Sequence, residues 1–214
     1  MRLLNIFCMF IHIGLPKTAT TFLQKRVFPF LPNVTYMGIP YRDDRFHSRV
    51  LNIIYRDESL YSYEQEAEDL AKIVSESAHP LLMSDESLSC YRGTDLVNKA
   101  KRLKNAFPHA SVIIVIRNQI DILQSMYFQY LKQHVYCSFE TWIDVLYRTH
   151  KVIIDGDMAT SYPKGKIKIG EYDLARLQYA HLVGVYAKAF GLERVHVFMY
   201  EQLKATPKNF FRSF

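Results

Sequence analysis

Cysteine is scarce and scattered. Cys8, Cys90 and Cys137 form no C-x-x-C pair, which argues against a disulfide framework and a cysteine-built zinc site and fits a reducing, cytoplasmic setting. A membrane-length apolar segment is lacking as well. The apolar start, Met1 to Ile13, has one Arg and no small-residue cleavage site. It is too short to span a bilayer, so it reads as a buried strand, and no stable membrane insertion is expected. A dense Lys/Arg footprint is also missing. The net charge of +6 is mild and suits an anionic ligand such as a nucleotide or an acidic glycan rather than nucleic acid. Repeats, low-complexity tracts and linkers are absent, so residues 1–214 read as one domain with a sizeable core. Oligomeric state leaves no mark in the sequence.

What is present is an alternation of apolar strands and amphipathic helices. Leu3 to Ile13 reads as a central strand closed by Gly and Pro, and Thr20 to Val27 as a helix. Phe28 to Tyr41, with three Pro and a Gly, reads as loop. Ser62 opens a helix with Gln65 as capping-box partner, and Pro80 to Ser84 is a short strand. Thr94 to Phe107 is helical, with Leu96, Ala100, Leu103 and Phe107 on one face, and Ser111 to Ile116 is a strand. Helices follow over Asn118 to Gln133 and Phe139 to His150, then a basic loop from Lys151 to Gly170. A long helix, Glu171 to Phe190, is capped by Gly191; Arg194 to Met199 is the last strand, and Pro207 opens a final helix. Such alternation predicts an α/β, P-loop-like three-layer fold: a central parallel sheet flanked by helices, with ligands at the carboxyl ends of the strands.

The segment Gly14-Leu15-Pro16-Lys17-Thr18-Ala19-Thr20-Thr21 lies between the first strand and the first helix. Unpaired N–H groups at such a helix start cradle a phosphate or sulfate. Lys17 adds a full charge, and Thr18, Thr20 and Thr21 add hydroxyl donors. The segment differs from the Walker A pattern, G-x-x-x-x-G-K-S/T, in having Pro16 before the Lys. It resembles the 5′-phosphosulfate loop of the sulfotransferases that use 3′-phosphoadenosine 5′-phosphosulfate (PAPS), roughly G-x-P-K-T/S-G/A-T-T/S, at every defined position. The resemblance assigns Pro16, Lys17, Thr18, Ala19, Thr20 and Thr21 to the donor.

A second anchor supports the first. Arg117 ends the strand Val112 to Ile116, where a guanidinium can grip a phosphate bidentately, and Ser125 follows about two helical turns on. The Arg-to-Ser spacing of eight resembles the family's 3′-phosphate site. Val195 to Leu203, VHVFMYEQL, resembles its strand followed by Y-E-x-L, with Glu201 anchoring the strand end. The family implies PAPS as co-substrate, 3′,5′-ADP as product, no metal, and a hydroxylated small-molecule or glycan acceptor. Lys17 would meet charge on the leaving phosphate. The acceptor hydroxyl needs a base; bacterial and glycan-modifying members resemble S-x-E where this chain has Ser84-Asp85-Glu86, which selects Glu86, with Asp85 as runner-up. His12 reads as a core histidine, and His79 lies at the wrong end of the sheet. The family continues past the end of this chain with a segment covering the nucleotide; either that cover is missing here or the Lys151 to Gly170 loop replaces it. A P-loop nucleotide or sugar kinase and a non-catalytic nucleotide-binding module are the competing readings.

Overall fold

In a computed structural model, described over residues 9–89, 95–132, 137–155 and 174–207, five parallel strands form one sheet in the order β2-β3-β1-β4-β5. They are β1 (Met9–His12), β2 (Thr35–Tyr36), β3 (Leu81–Ser84), β4 (Ser111–Ile116) and β5 (Val195–Met199). The helices are α1 (Thr20–Phe22, continued by a π-helical stretch Leu23–Val27), α2 (Asp44–Tyr55), α3 (Tyr63–Ser75), α4 (Leu96–Ala106), α5 (Gln119–Lys132), α6 (Phe139–Asp155), α7 (Tyr179–Phe190) and α8 (Tyr200–Ala205).

Alternating side chains send the central strands' apolar residues to both faces. Ile11, Leu81, Met83, Val112 and Ile114 pack in one core with buried residues of α2, α3, α4 and α7, among them Phe46, Leu70, Leu103 and Tyr186. Leu82, Ile113 and Val115 pack on the other face with Leu23, Phe28 and Leu203. This is the predicted α/β arrangement of a parallel sheet covered on both sides. A third cluster, Ile122, Met126 and Tyr130 of α5 against Trp142 and Leu146 of α6, ties these two helices together.

Several elements differ from expectation. The stretch Phe28 to Tyr41 contains β2, whose backbone reaches β3 through Thr35 N–H to Pro80 O (2.8 Å) and Met37 N–H to Leu82 O (2.9 Å). Pairing rather than propensity makes that strand. α2 carries a start signal that the sequence reading passed over: the Asp43 carboxylate accepts from the N–H groups of Arg45 and Phe46, and Phe46, Val50, Ile53 and Ile54 are buried. α6 extends to Asp155, because no Gly or Pro interrupts Val152 to Ile154. Only residues 151–155 of the expected basic loop are described; the rest lies outside the described residues, as does the first part of the expected N-terminal strand. α7 begins at Tyr179 instead of Glu171, since Gln178 leaves helical geometry at ψ 69° after a short 3₁₀ turn, Leu174–Leu177. A short helix that the sequence reading did not separate, α8, ends at Ala205 before Pro207; Pro207 is itself helical, and the rest of the helix expected to begin there lies outside the described residues. Thr206, next to the proline, sits at φ −138° and ψ 70°, outside the helical region that proline disfavours for its predecessor.

Candidate active site

β1 lies between β3 and β4, and the chain leaves it first toward one side of the sheet and later toward the other. That is the switch point where open parallel sheets bind ligands. The carboxyl ends of these strands carry Gly14 to Thr21, Asp85-Glu86 and Arg117.

The loop after β1 is held in a shape few sequences adopt. Gly14 has φ +36°, and an added Cβ would lie 2.8 Å from Thr20 Cγ2 and 3.3 Å from His12 Cε1. Lys17 and Ala19 follow in the left-handed region at φ 65° and 64°. Thr18 lies between them; alternations of this kind turn successive N–H groups into an anion-binding concavity. Thr18 and Thr20 donate their hydroxyl hydrogens to Leu15 O at 2.7 and 2.9 Å. These two buried hydroxyls therefore latch the loop, and their share in anion binding falls to the backbone. Thr21 is exposed. Pro16 and Lys17 are half-buried beside it.

Beneath the loop is a buried polar group that belongs to the scaffold. His12 Nδ1 and Ser84 Oγ are 2.8 Å apart, and Gln24 Nε2 donates to the same Oγ at 3.1 Å. Burial pushes the His12 imidazole down to about 3, so it is neutral and is not an acid or base of the cleft. His79 precedes β3, at the far end of the sheet.

Arg117 joins the two anchors. Its Nη1 donates to Lys17 O at 3.0 Å, its guanidinium lies 4.6 Å from the centre of the Tyr200 ring, and its buried Nε has no partner. Its main chain is pinned from two directions. Tyr179 Oη donates to Arg117 O at 2.6 Å, and Asn118 N–H donates to Glu201 Oε1 at 2.7 Å. Glu201 thus anchors the end of β4 rather than its own strand, and Tyr200 stacks on the arginine. Asn118 Oδ1 accepts from Ile120 and Asp121 N–H and starts α5.

Lys17, Arg117 and Ser125 line one open cleft of about 500 Å³. The sequence reading missed the others that line it: Asp121, Gln124, Phe128, Gln129 and Lys132. They lie at offsets −4, −1, +3, +4 and +7 from Ser125, the face of a helix, so the spacing alone could have found them. Burial lowers the Lys17 pKa; the Glu86 carboxylate opposes this, and the Lys132 and Arg117 cations add to it. Glu86 therefore lies within charge reach of the same ammonium. Asp85 differs: it is buried, Tyr41 Oη donates to its Oδ2 at 2.7 Å, and Ser87 N–H donates to its Oδ1 at 2.8 Å. The turn that carries Glu86 is strapped by Lys99 Nζ to Ser87 O (2.9 Å) and Tyr186 Oη to Leu88 O (2.7 Å). Ser89 Oγ bonds both Gly14 O and Glu86 O.

Among the described residues, no helix is long and apolar enough to cross a membrane, and no three His, Cys, Asp or Glu side chains gather as a metal group. No family model and no curated protein matches the chain. Solved structures do. A sulfotransferase from Alicyclobacillus acidocaldarius superposes with a TM-score of 0.61 at 18% identity, covering 95% of this chain and 77% of that one. The sulfotransferase domain from the curacin biosynthetic pathway gives 0.42 at 12% identity, with 96% and 71% covered, too distant to add weight. The chain shares the α/β fold of the first.

Proposed function

We propose that this protein is a PAPS-dependent sulfotransferase, moving a sulfuryl group to an acceptor hydroxyl, in a carbohydrate by preference. One observation carries the reading: Lys17 of the loop after β1 and Arg117 and Ser125 of the segment from β4 into α5 line a single cleft. The loop from Pro16 to Thr21 receives the 5′-phosphosulfate on its backbone N–H groups. Arg117, with an unpartnered Nε, and Ser125 receive the 3′-phosphate. Lys17 neutralises charge that builds on the leaving phosphate as the S–O bond breaks. Glu86 takes the proton of the attacking hydroxyl. Asp85 is an unsuitable base because both its oxygens already accept hydrogen bonds from Tyr41 and Ser87.

The test is equilibrium binding. 3′,5′-ADP at a hundred times its dissociation constant should stabilise the fold by about 2.7 kcal/mol, seen as a rise in Tm, while 5′-AMP and ATP with Mg²⁺ give much smaller shifts. Equal shifts with ATP would reject the donor and favour a kinase. Binding of 3′,5′-ADP without sulfuryl transfer to any acceptor would favour a binding module.

A further inference from the structure

The cleft continues along α5 past the donor anchors. Ser125 lies two turns in, and Lys132 is seven residues further, about 10 Å at 1.5 Å per residue. Phe128 and Gln129 line the stretch between, and Gln124 lines the cleft beside Ser125. Among the residues that line the cleft the charges are unbalanced: Lys17, Arg117 and Lys132 share it with one carboxylate, Asp121, which lies 3.9 Å from Arg117 Nη2. Arg117 has its own tasks at the loop and at Asp121. Lys132 is exposed at the far end of the lining.

Lys132 lines the same cleft as Lys17, and its cation and the Glu86 carboxylate both lie within charge reach of the Lys17 ammonium. The wall formed by the amides of Gln124 and Gln129 and the ring of Phe128 suits a polar, hydroxyl-rich ligand: amides bond hydroxyls, and a ring packs on the apolar face of a sugar. An ammonium that makes no ion pair with a carboxylate among the described residues favours a ligand that brings its own negative charge.

We propose that the acceptor is an acidic saccharide, whose carboxylate or sulfate is received by Lys132 while its hydroxyl meets Glu86. This rests on the sulfotransferase reading above. The test uses protein saturated with 3′,5′-ADP and two matched pairs of sugars. One pair is a disaccharide of glucuronic acid and N-acetylgalactosamine and its methyl ester; the other is N-acetyllactosamine with and without a 6-sulfate. At least one acid should bind about tenfold or more tightly than its neutral partner, the scale of a hydrogen bond to a charged group. Comparing the pairs separates carboxylate from sulfate. Lys132→Gln should erase that preference, Lys132→Arg should keep most of it, and both variants should bind 3′,5′-ADP within about twofold of the parent. Acids and neutral partners binding alike, or no acid binding at all, overturns the inference. So does a Lys132→Gln variant that keeps the preference, or one that loses 3′,5′-ADP affinity about tenfold and so assigns Lys132 to the donor. Failure of 3′,5′-ADP to bind the parent protein would instead reject the donor reading, a separate result.

Discussion

At the scale of single residues, neighbours decide which chemistry a side chain has left to do. Arg117 uses Nη1 on Lys17 O and has Nε unpaired. Arg117→Ala should weaken 3′,5′-ADP by about 2–3 kcal/mol, as for a hydrogen bond to a charged group, and leave 5′-AMP almost unaffected. Titration calorimetry with both nucleotides checks this; equal losses would mean that the arginine serves the loop alone. Asp85 and Glu86 are adjacent yet unlike. Glu86→Gln should lower turnover about 10²- to 10⁴-fold, the usual range for a general base, at unchanged donor affinity. Asp85→Asn should act on stability, by about 1–3 kcal/mol for disturbed buried partners. Steady-state kinetics beside urea unfolding separates the two; near-normal turnover in folded Glu86→Gln would remove it from the mechanism. That Lys17, Arg117 and Ser125 would line one cleft was legible because a strand end and motif spacing marked them. Residues 121, 124, 128, 129 and 132 were legible only as the helical face that Ser125 shares; that this face lines the cleft follows from the direction of α5, which packs on Trp142 and Leu146 of α6.

At the scale of elements, the loop after β1 and the turn after β3 are one device. The Ser89 hydroxyl reaches Gly14 O and Glu86 O, and residues 14 and 89 are 75 positions apart. Ser89→Ala should cost about 1–2 kcal/mol, since it leaves a buried carbonyl short of a donor. It should also reduce turnover more than donor affinity, because the turn that aims Glu86 loses its tie to the loop. Kinetic and binding constants measured side by side check this; equal falls in both would make Ser89 a purely structural residue. Strands β1, β3, β4 and β5 were readable from their apolar runs, and β4 was predicted to the residue. β2 was not, since Thr35 and Tyr36 become a strand only where β3 offers its edge. α2 was readable in principle, from Asp43 and the spacing of Phe46, Val50, Ile53 and Ile54. Prolines at 29, 32 and 40 drew the eye away from it.

At the scale of the molecule, one buried imidazole links the sheet to pH. The folded protein holds His12 near 3 against an ordinary 6.5, so folding favours the neutral ring. Its contribution is complete above pH 6.5 and is lost as pH falls toward 3, with a slope approaching 1.4 kcal/mol per pH unit, about what one titrating group gives. Urea unfolding from pH 7 to pH 4 should show this decline in the parent protein and a flatter one in His12→Gln. Parallel curves would show that other groups govern acid unfolding.

The strand order has a kinetic consequence. The cleft takes its walls from segments that meet only after long excursions of the chain: Arg117 reaches Lys17 across 100 positions, and Ser84 reaches His12 across 72. Parallel pairing at such separations is entropically slow to close, while helices form within microseconds. Helical signal should therefore return early in refolding and binding of the proposed nucleotide donor last, once β1 is seated between β3 and β4. A chain released from synthesis would be blind to the proposed nucleotide donor until the whole sheet had closed, and ligand recognition would then report completed folding more faithfully than secondary structure does.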